Sequence, residues 1–350
     1  RSEFHQPLLY GLLSQRDFAM ILTGLAVAIF LRGNIITVRQ IRRVLLLLAW
    51  VSLVAYSMIH FVVNPLDYFE TPMVGFNALK GGYIFRFNMT LIIFGSIYYA
   101  VCFFQERQIR QLLAALLFLS YLLFIRQDRT IVVSTVLALL IFFVRNVSWT
   151  ALAKYIAAGS TLLVMGVVFT LWLNPESVDR VGSLYYRFYE VLQGFQSSDA
   201  TVDIRVSEID TAMKYIRKNP VWGSGELSRQ WNDGWSQLGR FFPSDIGFLG
   251  LVFIYGIGGL LLIYSQTLLA AYYTLKTRTR EPFCLVCQYF LVAFYLNSLS
   301  DGVIVWRAAI GVTFLAVIQH YYRMERQPAP VATPPAAAEL ETPPAKLAAS

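Results

Sequence analysis

The sequence contains little charge, cysteine or histidine for its length. Only 14% of its 350 residues are charged and 57% are hydrophobic, which argues against a water-soluble globule, since soluble domains carry about 25% charge. The three cysteines, Cys102, Cys284 and Cys287, lie within or beside apolar stretches and provide no disulfide framework. The three histidines are far apart and lack metal-ligand spacing. We therefore expect no metal and no cofactor.

Two further classes of protein are disfavoured by the sequence. It contains no glycine-rich phosphate loop ending in Lys-Ser or Lys-Thr, which argues against an ATP-driven pump. Its net charge of +8 could indicate a nucleic-acid partner. The charges cluster at the ends of apolar runs, however, and we expect no nucleic acid to bind.

Long apolar runs dominate the chain, whose mean hydropathy is +0.54. A bilayer core requires about 20 apolar residues in a helix whose backbone groups pair internally. We identify nine candidate spans, some of them short: 18–31, 44–63, 87–104, 112–125, 130–144, 155–173, 246–273, 283–299 and 302–319. The sequence therefore predicts an all-α polytopic membrane protein with about nine transmembrane helices in this chain.

The short loops carry an uneven distribution of Lys and Arg, which predicts the orientation. The more basic set is assigned to the cytoplasm and comprises Arg32, Arg39, Arg42, Arg43, Arg107, Arg110, Arg145, Lys154, Lys276, Arg278 and Arg280. The opposite segments hold Lys80, Arg86, Arg126, Arg129 and Arg307, partly offset by Asp67, Glu70, Asp128 and Asp301. This arrangement places the N-terminus outside. Because no leader precedes it, we expect further spans before Arg1.

These features divide the chain into four parts. Residues 1–173 form six N-terminal spans, and 174–244 form one large outer loop. Residues 245–322 form three C-terminal spans. The remaining 323–350 are rich in Pro and Ala and are predicted to be a disordered cytoplasmic tail.

The outer loop is predicted to contain amphipathic helices. One helix is indicated by apolar residues at steps of three and four: Val202, Val206, Ile209, Met213 and Ile216. Asn219-Pro220 should end it, and Gly223-Ser224-Gly225 should follow as a flexible turn. Aromatic residues in 184–195 suit an interfacial helix, and Trp231 and Trp235 suit the headgroup level.

Several charged residues are predicted to lie at the outer boundary of the membrane. Asp245 begins the seventh predicted span, and the arginines are Arg86, Arg126, Arg129, Arg205 and Arg217. Arginine is a fixed cation with a forked donor array suited to phosphate or pyrophosphate. A structural role is the alternative for each of them. An arginine at a span end is often a membrane anchor, and Asp245 could cap its helix.

The region from Asp203 to Gly259 resembles the signature of the O-antigen ligase and O-antigen polymerase superfamily. The family signature is an Arg, a helix, a Pro-x-Gly-x-Gly turn and a span that ends in Gly-x-x-Gly. In this chain the corresponding segments are Arg205, the helix to Asn219, Pro220-Val-Trp-Gly223-Ser-Gly225 and Gly256-Ile-Gly-Gly259. Phe85-Arg86 resembles the family arginine at an outer span mouth, and Asp128-Arg129-Thr130 resembles its Ser-Arg tip. Asp245 stands where ligases of this family have histidine.

The resemblance implies glycosyl transfer at the periplasmic face of a bacterial inner membrane. The implied partners are an undecaprenyl-diphosphate-linked oligosaccharide, the lipid bilayer and other polysaccharide assembly proteins. By resemblance, Arg205, which we expect to be catalytic, and Arg86, with Arg129, would bind the diphosphate. Arg126 and Arg217 are further candidates for substrate binding. Asp245 would replace the histidine base, because a carboxylate can accept a proton when its surroundings tune it. The departure from histidine favours a polymerase.

Three alternatives stay open at this point. The chain could be a ligase that transfers finished O-antigen to lipid A-core, or a transporter (flippase) of the same lipid-linked sugar. It could also be an inactive scaffold in a polysaccharide export complex. Transporters often show repeated halves and helices broken near the membrane midplane. The sequence shows no such repeat, and its only break-like cluster within a span is Gly256, Gly258 and Gly259.

Overall fold

The structure is a computed structural model that describes residues 4–14, 19–68, 74–77, 82–85, 87–126, 129–148, 200–228, 230–239, 241–301 and 303–326. The predicted span 155–173, the predicted interfacial helix 184–195 and the tail after Arg326 lie outside these ranges. Within them the protein is predominantly helical, which confirms the predicted all-α class.

The helices follow one another along the chain with short connections. The first group is α1 (Leu8–Ser14), α2 (Leu22–Arg32), α3 (Val38–Val62), α4 (Thr90–Glu106), α5 (Ile109–Ser120) and α6 (Arg129–Asn146). A single π-helical turn, Tyr121–Arg126, extends α5 toward the tip of the α5–α6 hairpin. The second group is α7 (Ala200–Lys218), α8 (Phe248–Lys276), α9 (Pro282–Asp301), α10 (Val303–Trp306) and α11 (Ala308–Arg326).

Three of the described helices are long and apolar enough to cross a membrane: Val38–Val62, Phe248–Lys276 and Pro282–Leu299. Four further described helices are apolar but shorter, namely Leu22–Arg32, Thr90–Glu106, Ile109–Leu123 and Thr130–Asn146. The ninth predicted span is divided at Arg307 into α10 and α11. The number of membrane crossings therefore stays a prediction.

A short β-hairpin, which the sequence did not predict, joins α3 to α4. Its strands β1 (Val74–Asn77) and β2 (Gly82–Phe85) are antiparallel, with Val74 opposite Phe85. The ring of Phe85 stacks on Phe87 at 5.4 Å, and Phe87 in turn stacks on Tyr56 of α3 at 4.5 Å. These ring contacts attach the hairpin to the end of α3 at the start of α4.

The main hydrophobic core surrounds α4. Phe94 of α4 is fully buried and packs its ring against Phe283, Phe290 and Phe314, which lie on α9 and α11. On the other side of α4, Gly95 lies so close to Phe118 of α5 that a β-carbon there would be 2.5 Å from the ring. Helix α4 thus joins the N-terminal and C-terminal helices into one bundle.

One end of the bundle is joined by contacts around Glu281, just before α9. Arg42 of α3 forms an ion pair with Glu281 at 3.6 Å, and the hydroxyl of Tyr321 on α11 donates to the same carboxylate at 2.7 Å. Gln105 at the end of α4 donates to the Arg280 carbonyl at 3.0 Å. These contacts bring together segments that the charge distribution assigns to one side of the membrane.

Candidate functional site

The helix α7 matches the amphipathic helix predicted from the sequence and ends at Lys218, immediately before Asn219-Pro220. The face that it buries overlaps the predicted one in part, since Ile216 packs against buried residues but the most buried positions are Glu208 and Ala212. Val206 is 53% exposed, whereas Ala212 is fully buried against Phe241, Phe253 and Ile254. A small residue lets two aromatic rings approach the helix closely, and this packing orients α7 on the first part of α8.

Helix α8 is broken at Gly256, and the predicted Pro-x-Gly-x-Gly turn docks into the break. Gly256 has φ 65° and ψ −177°, which interrupts the helical hydrogen bonds. The amides of Ser224 and Gly225 donate to the carbonyls of Phe253 and Ile254 at 2.8 and 3.0 Å. From the other half of the helix, the amides of Ile257 and Gly258 donate to the carbonyls of Pro220 and Val221 at 2.9 and 3.0 Å.

These hydrogen bonds pair four of the backbone groups on the two sides of the break. Unpaired backbone groups are costly inside a membrane or a protein core. The turn was predicted to be flexible, but the structure fixes it by backbone contacts on both sides of the break.

Two glycines are required for this close docking. A β-carbon on Gly256 would lie 2.2 Å from the carbonyl oxygen of Val221, and one on Gly223 would lie 2.4 Å from that of Ile254. Both residues also have positive φ angles, 65° and 70°, which L-residues with side chains rarely adopt. The signature glycines therefore serve backbone-to-backbone packing.

Asp245 lies in a 3-10 turn, Pro243–Ile246, that precedes α8. The prediction placed it at the start of the span, but α8 begins at Phe248 and its N-cap is Gly247, which has no side-chain capping bond. Asp245 therefore does not cap the helix. Its carboxylate is exposed, and the Ser244 hydroxyl donates to Oδ1 at 3.2 Å.

The turn that carries Asp245 is held tightly against α8. Gly250 lies directly beneath it, where a β-carbon would be 1.8 Å from the Pro243 carbonyl oxygen. Pro243 is itself buried. The position of Asp245 is thus determined by backbone packing, while its side chain stays accessible to a substrate.

Glu208 of α7 links the two elements that carry Arg205 and Asp245, and the sequence analysis did not identify it. Its side chain is only 1% exposed, and Oε1 accepts a hydrogen bond from the amide of Phe242 at 3.1 Å. The sequence carried no local signal for Glu208, because only the structure shows that it shares a buried helix face with Ala212, four residues further along. A carboxylate on a buried helix face indicates a specific polar partner.

The N-terminal segment packs against the same region. The side-chain amide of Gln6 donates to the Glu226 carbonyl at 3.1 Å and accepts from the Ser228 amide at 2.7 Å. Phe4 contacts the rings of Tyr215 and Trp235. The segment and the loop therefore lie at the same end of the bundle, as the predicted orientation requires.

Trp235, predicted at the headgroup level, contributes instead to a small aromatic core. Its ring lies 5.9 Å from Phe241 and 5.4 Å from Phe253. Close by, the hydroxyl of Tyr255 on α8 donates to Glu226 Oε2 at 3.1 Å. These contacts surround the docked turn with packed side chains.

The structure brings some of the predicted site residues onto neighbouring elements. Helix α7 carries Arg205 and Arg217, both exposed, and contacts the 3-10 turn that carries Asp245. Arg126 ends the π-helical turn and Arg129 begins α6, so their backbones form the tip of the α5–α6 hairpin. Arg86 lies outside the described residues, between Phe85 and Phe87.

The part of the chain that the structure describes brings together no group of three or more His, Cys, Asp or Glu side chains able to hold a metal ion. The expectation of a metal-independent reaction stays a prediction. The chemistry available at α7 and the 3-10 turn includes permanently charged guanidinium groups and the accessible carboxylate of Asp245. Such a set can bind an anionic group and accept a proton.

Comparison with known families gives one match. The family described as O-antigen ligase (Wzy_C) matches residues 114–264, from α5 into the second half of α8. This confirms the predicted resemblance to the O-antigen ligase and O-antigen polymerase superfamily, and it includes both the docked turn and the break in α8. It supports a membrane protein with a ligase-type or polymerase-type function on a lipid-linked glycan. No curated protein matches the chain.

Proposed function

Because residues 114–264 match the family described as O-antigen ligase, we propose that the chain is a glycosyltransferase that polymerises oligosaccharide repeat units. The donor would be a growing glycan on undecaprenyl diphosphate, and the product O-antigen or exopolysaccharide. The reaction would take place at the periplasmic face of the bacterial inner membrane, where the outer loop 174–244 meets the spans.

The observation that carries this proposal is the docking of the Pro220–Gly225 turn into the break of α8. The docked turn connects α7, with Arg205, to α8, which holds the turn bearing Asp245. Glu208 adds a second link through the Phe242 amide. The helix that carries the Arg205 cation and the turn that carries the Asp245 carboxylate are thus in contact, and a group-transfer site needs such groups held close together.

In the proposed reaction, the oxygen of an acceptor sugar hydroxyl bonds to the anomeric carbon of the donor. The bond from that carbon to the diphosphate oxygen breaks, and the diphosphate leaves with the electron pair. The hydroxyl proton passes to the carboxylate of Asp245. Arg205 and Arg86, with Arg126, Arg129 and Arg217, would stabilise the leaving diphosphate, because guanidinium groups pair well with phosphate oxygens.

The test is a glycan profile of a strain in which the gene for this protein is deleted and variants of the protein are supplied in its place. We expect Asp245→Asn and Arg205→Gln to abolish long chains while single repeat units still reach their normal acceptor. Asp210→Asn and Lys214→Gln are matched controls on α7, since both residues are exposed, and they should restore long chains. Long chains at normal levels with Asp245→Asn would contradict the proposed role of this carboxylate.

Ligation is a second candidate, favoured by the description of the matching family as O-antigen ligase. The replacement of histidine by Asp245 argues for polymerisation instead. The same glycan profile separates the two reactions. Loss of a ligase would leave full-length polymer on the lipid carrier and a bare acceptor, whereas loss of a polymerase would leave single repeat units on the acceptor.

Transport of the lipid-linked sugar is a weaker alternative. Transporters use broken helices because the free backbone groups at the break can bind substrate or ions. In α8, four of the backbone groups at the break are already hydrogen bonded to the docked turn. Repeat units trapped on the cytoplasmic face of the deletion strain would nevertheless indicate transport and would contradict polymerisation.

A further inference from the structure

A polar cavity lies at the C-terminal end of α8, away from the docked turn. It has a volume of about 740 Å³ and lies between the C-terminal ends of α8 and α11 and the connection that leads to α9. Its lining residues are Leu275, Lys276, Arg278, Thr279, Tyr322, Glu325 and Arg326. The part of α8 from the break at Gly256 to its end at Lys276 corresponds to about 30 Å at 1.5 Å per residue. The cavity is therefore remote from the docked turn.

Three of the lining side chains are cations that come from three different elements. Lys276 ends α8, Arg278 lies in the connection to α9, and Arg326 ends α11. They belong to the side that the charge distribution assigns to the cytoplasm. Converging cations at a membrane surface attract anionic headgroups, especially those with phosphate oxygens.

Two neighbouring residues, Tyr322 and Glu325, contact one of these cations and the loop backbone that carries another. The guanidinium of Arg326 lies 4.6 Å from the ring centroid of Tyr322. The carboxylate of Glu325 accepts from the amide of Arg278 at 3.1 and 3.0 Å, and also from the amide of Thr279. The one carboxylate in the lining is thus engaged by loop amides, and the three cations outnumber it. A preorganised cluster loses less side-chain entropy when a ligand binds.

An exposed apolar stripe leads along α8 to the cavity. Leu268, Tyr272 and Leu275 lie at i, i+4 and i+7 on one helix face and are 73%, 47% and 70% exposed. In a membrane this face contacts lipid chains, and its last residue, Leu275, also lines the cavity. A ligand that combines a phosphate group with an apolar tail matches this arrangement.

We propose that this cavity binds the phosphate group of an anionic phospholipid. Lys276, Arg278 and Arg326 contact the headgroup oxygens, and the acyl chains lie along Leu268, Tyr272 and Leu275. The stripe is what favours a lipid over free phosphate, which would use only the cations. The site is independent of the proposed glycosyl transfer and would hold even if that proposal failed.

The experiment uses the full chain, purified in neutral detergent and titrated with phosphatidylglycerol, phosphatidylcholine or inorganic phosphate. Bound lipid is counted by native mass spectrometry, and thermal unfolding is followed in parallel. We expect phosphatidylglycerol to bind about tenfold more tightly than phosphatidylcholine, given the three cations. Phosphate alone should produce little stabilisation.

The variant Arg278→Gln/Arg326→Gln should remove the preference for phosphatidylglycerol. Its matched control is Arg39→Gln/Arg110→Gln, which removes two exposed cations from the same predicted side of the membrane. Tyr322→Leu keeps all charges but removes the ring beneath Arg326, and it should weaken binding about threefold, since a cation–π contact is worth roughly 0.5–1 kcal/mol at exposed sites.

Three results would overturn the proposal. Equal binding of the two lipids would exclude a headgroup site. Equal loss in the control variant would show that only overall charge matters. Stabilisation by inorganic phosphate as strong as that by phosphatidylglycerol would show that the ligand is free phosphate and not lipid.

Discussion

The centre of the bundle and the region around the docked turn are held together by different contacts. Around α4 the packing is between side chains, with the rings of Phe94, Phe290 and Phe314 in mutual contact. At the break in α8 the contacts are between backbones, with four hydrogen bonds and two glycines that leave no space for a β-carbon.

This difference has a consequence for how each region tolerates change. Side-chain packing can relax partly around a smaller residue, so its loss is graded. Backbone packing at this distance cannot accommodate even one added methyl group. We therefore expect the docked turn to behave as a nearly all-or-none element and the core as a tolerant one.

The largest effect is expected for Gly256→Ala. The added β-carbon would meet the Val221 carbonyl at 2.2 Å, so the turn would have to leave the break. We expect the free energy of unfolding to fall by about 4 kcal/mol or more, within the range known for severe single substitutions. Unfolding in detergent and the glycan profile measure the two consequences.

A matched control for this substitution is Gly239→Ala. Gly239 also has positive φ, at 80° with ψ −141°, but nothing lies within 4 Å of an added β-carbon. It should cost only the backbone strain, about 1–3 kcal/mol. If both variants lost the same stability, the close contact at the break would not explain the destabilisation by Gly256→Ala.

The core is tested by Phe94→Ala and Phe94→Leu. The first should lower the free energy of unfolding by about 3 kcal/mol, at the lower end for such truncations, because a membrane supplies less hydrophobic driving force between helices. The second should cost about 1 kcal/mol, as the volume is largely kept. Long-chain product should fall only in proportion to the folded protein. A loss of product from fully folded Phe94→Leu would contradict this separation of the two regions.

A smaller effect on stability than that of Phe94→Ala is expected for Glu208→Ala, which removes the acceptor for the Phe242 amide. The expected cost is about 2 kcal/mol, since a buried donor loses its partner. Glu208→Gln keeps an acceptor oxygen and should retain most of the stability. If Glu208 positions the Asp245 turn, product should fall in the alanine variant even when it is fully folded, and the glutamine variant should restore it. Asp210→Ala, on the exposed face of α7, is the control.

The sequence predicted those features that depend on periodicity. The helix α7 and its end at Lys218 followed from apolar spacing and from Asn219-Pro220. The buried face was harder to predict, because Ala212 and Glu208 are buried by a specific fit to Phe241 and Phe242. Such a fit depends on residues distant in the chain, and no local pattern encodes it.

The role of the glycines around α8 could also be predicted only in part from the sequence. Their clustering indicated a break, but the docking partner was not evident from the sequence. The hairpin Val74–Asn77 and Gly82–Phe85 was missed because strands of four residues give a weak alternation signal. Asp245 was placed at a helix start, yet the positive φ of Gly247 delays the start to Phe248.

The contacts of Gln6 have a consequence for biosynthesis. They join residues 220 and 222 positions apart in the chain, so they cannot form until the ribosome has passed Ser228. Pairings between such distant segments form late, because a long loop must close first. The end of the protein that contains the docked turn should therefore be completed only after the intervening helices have been synthesised, and until then the aromatic residues Phe4, Tyr215 and Trp235 need protection from aggregation.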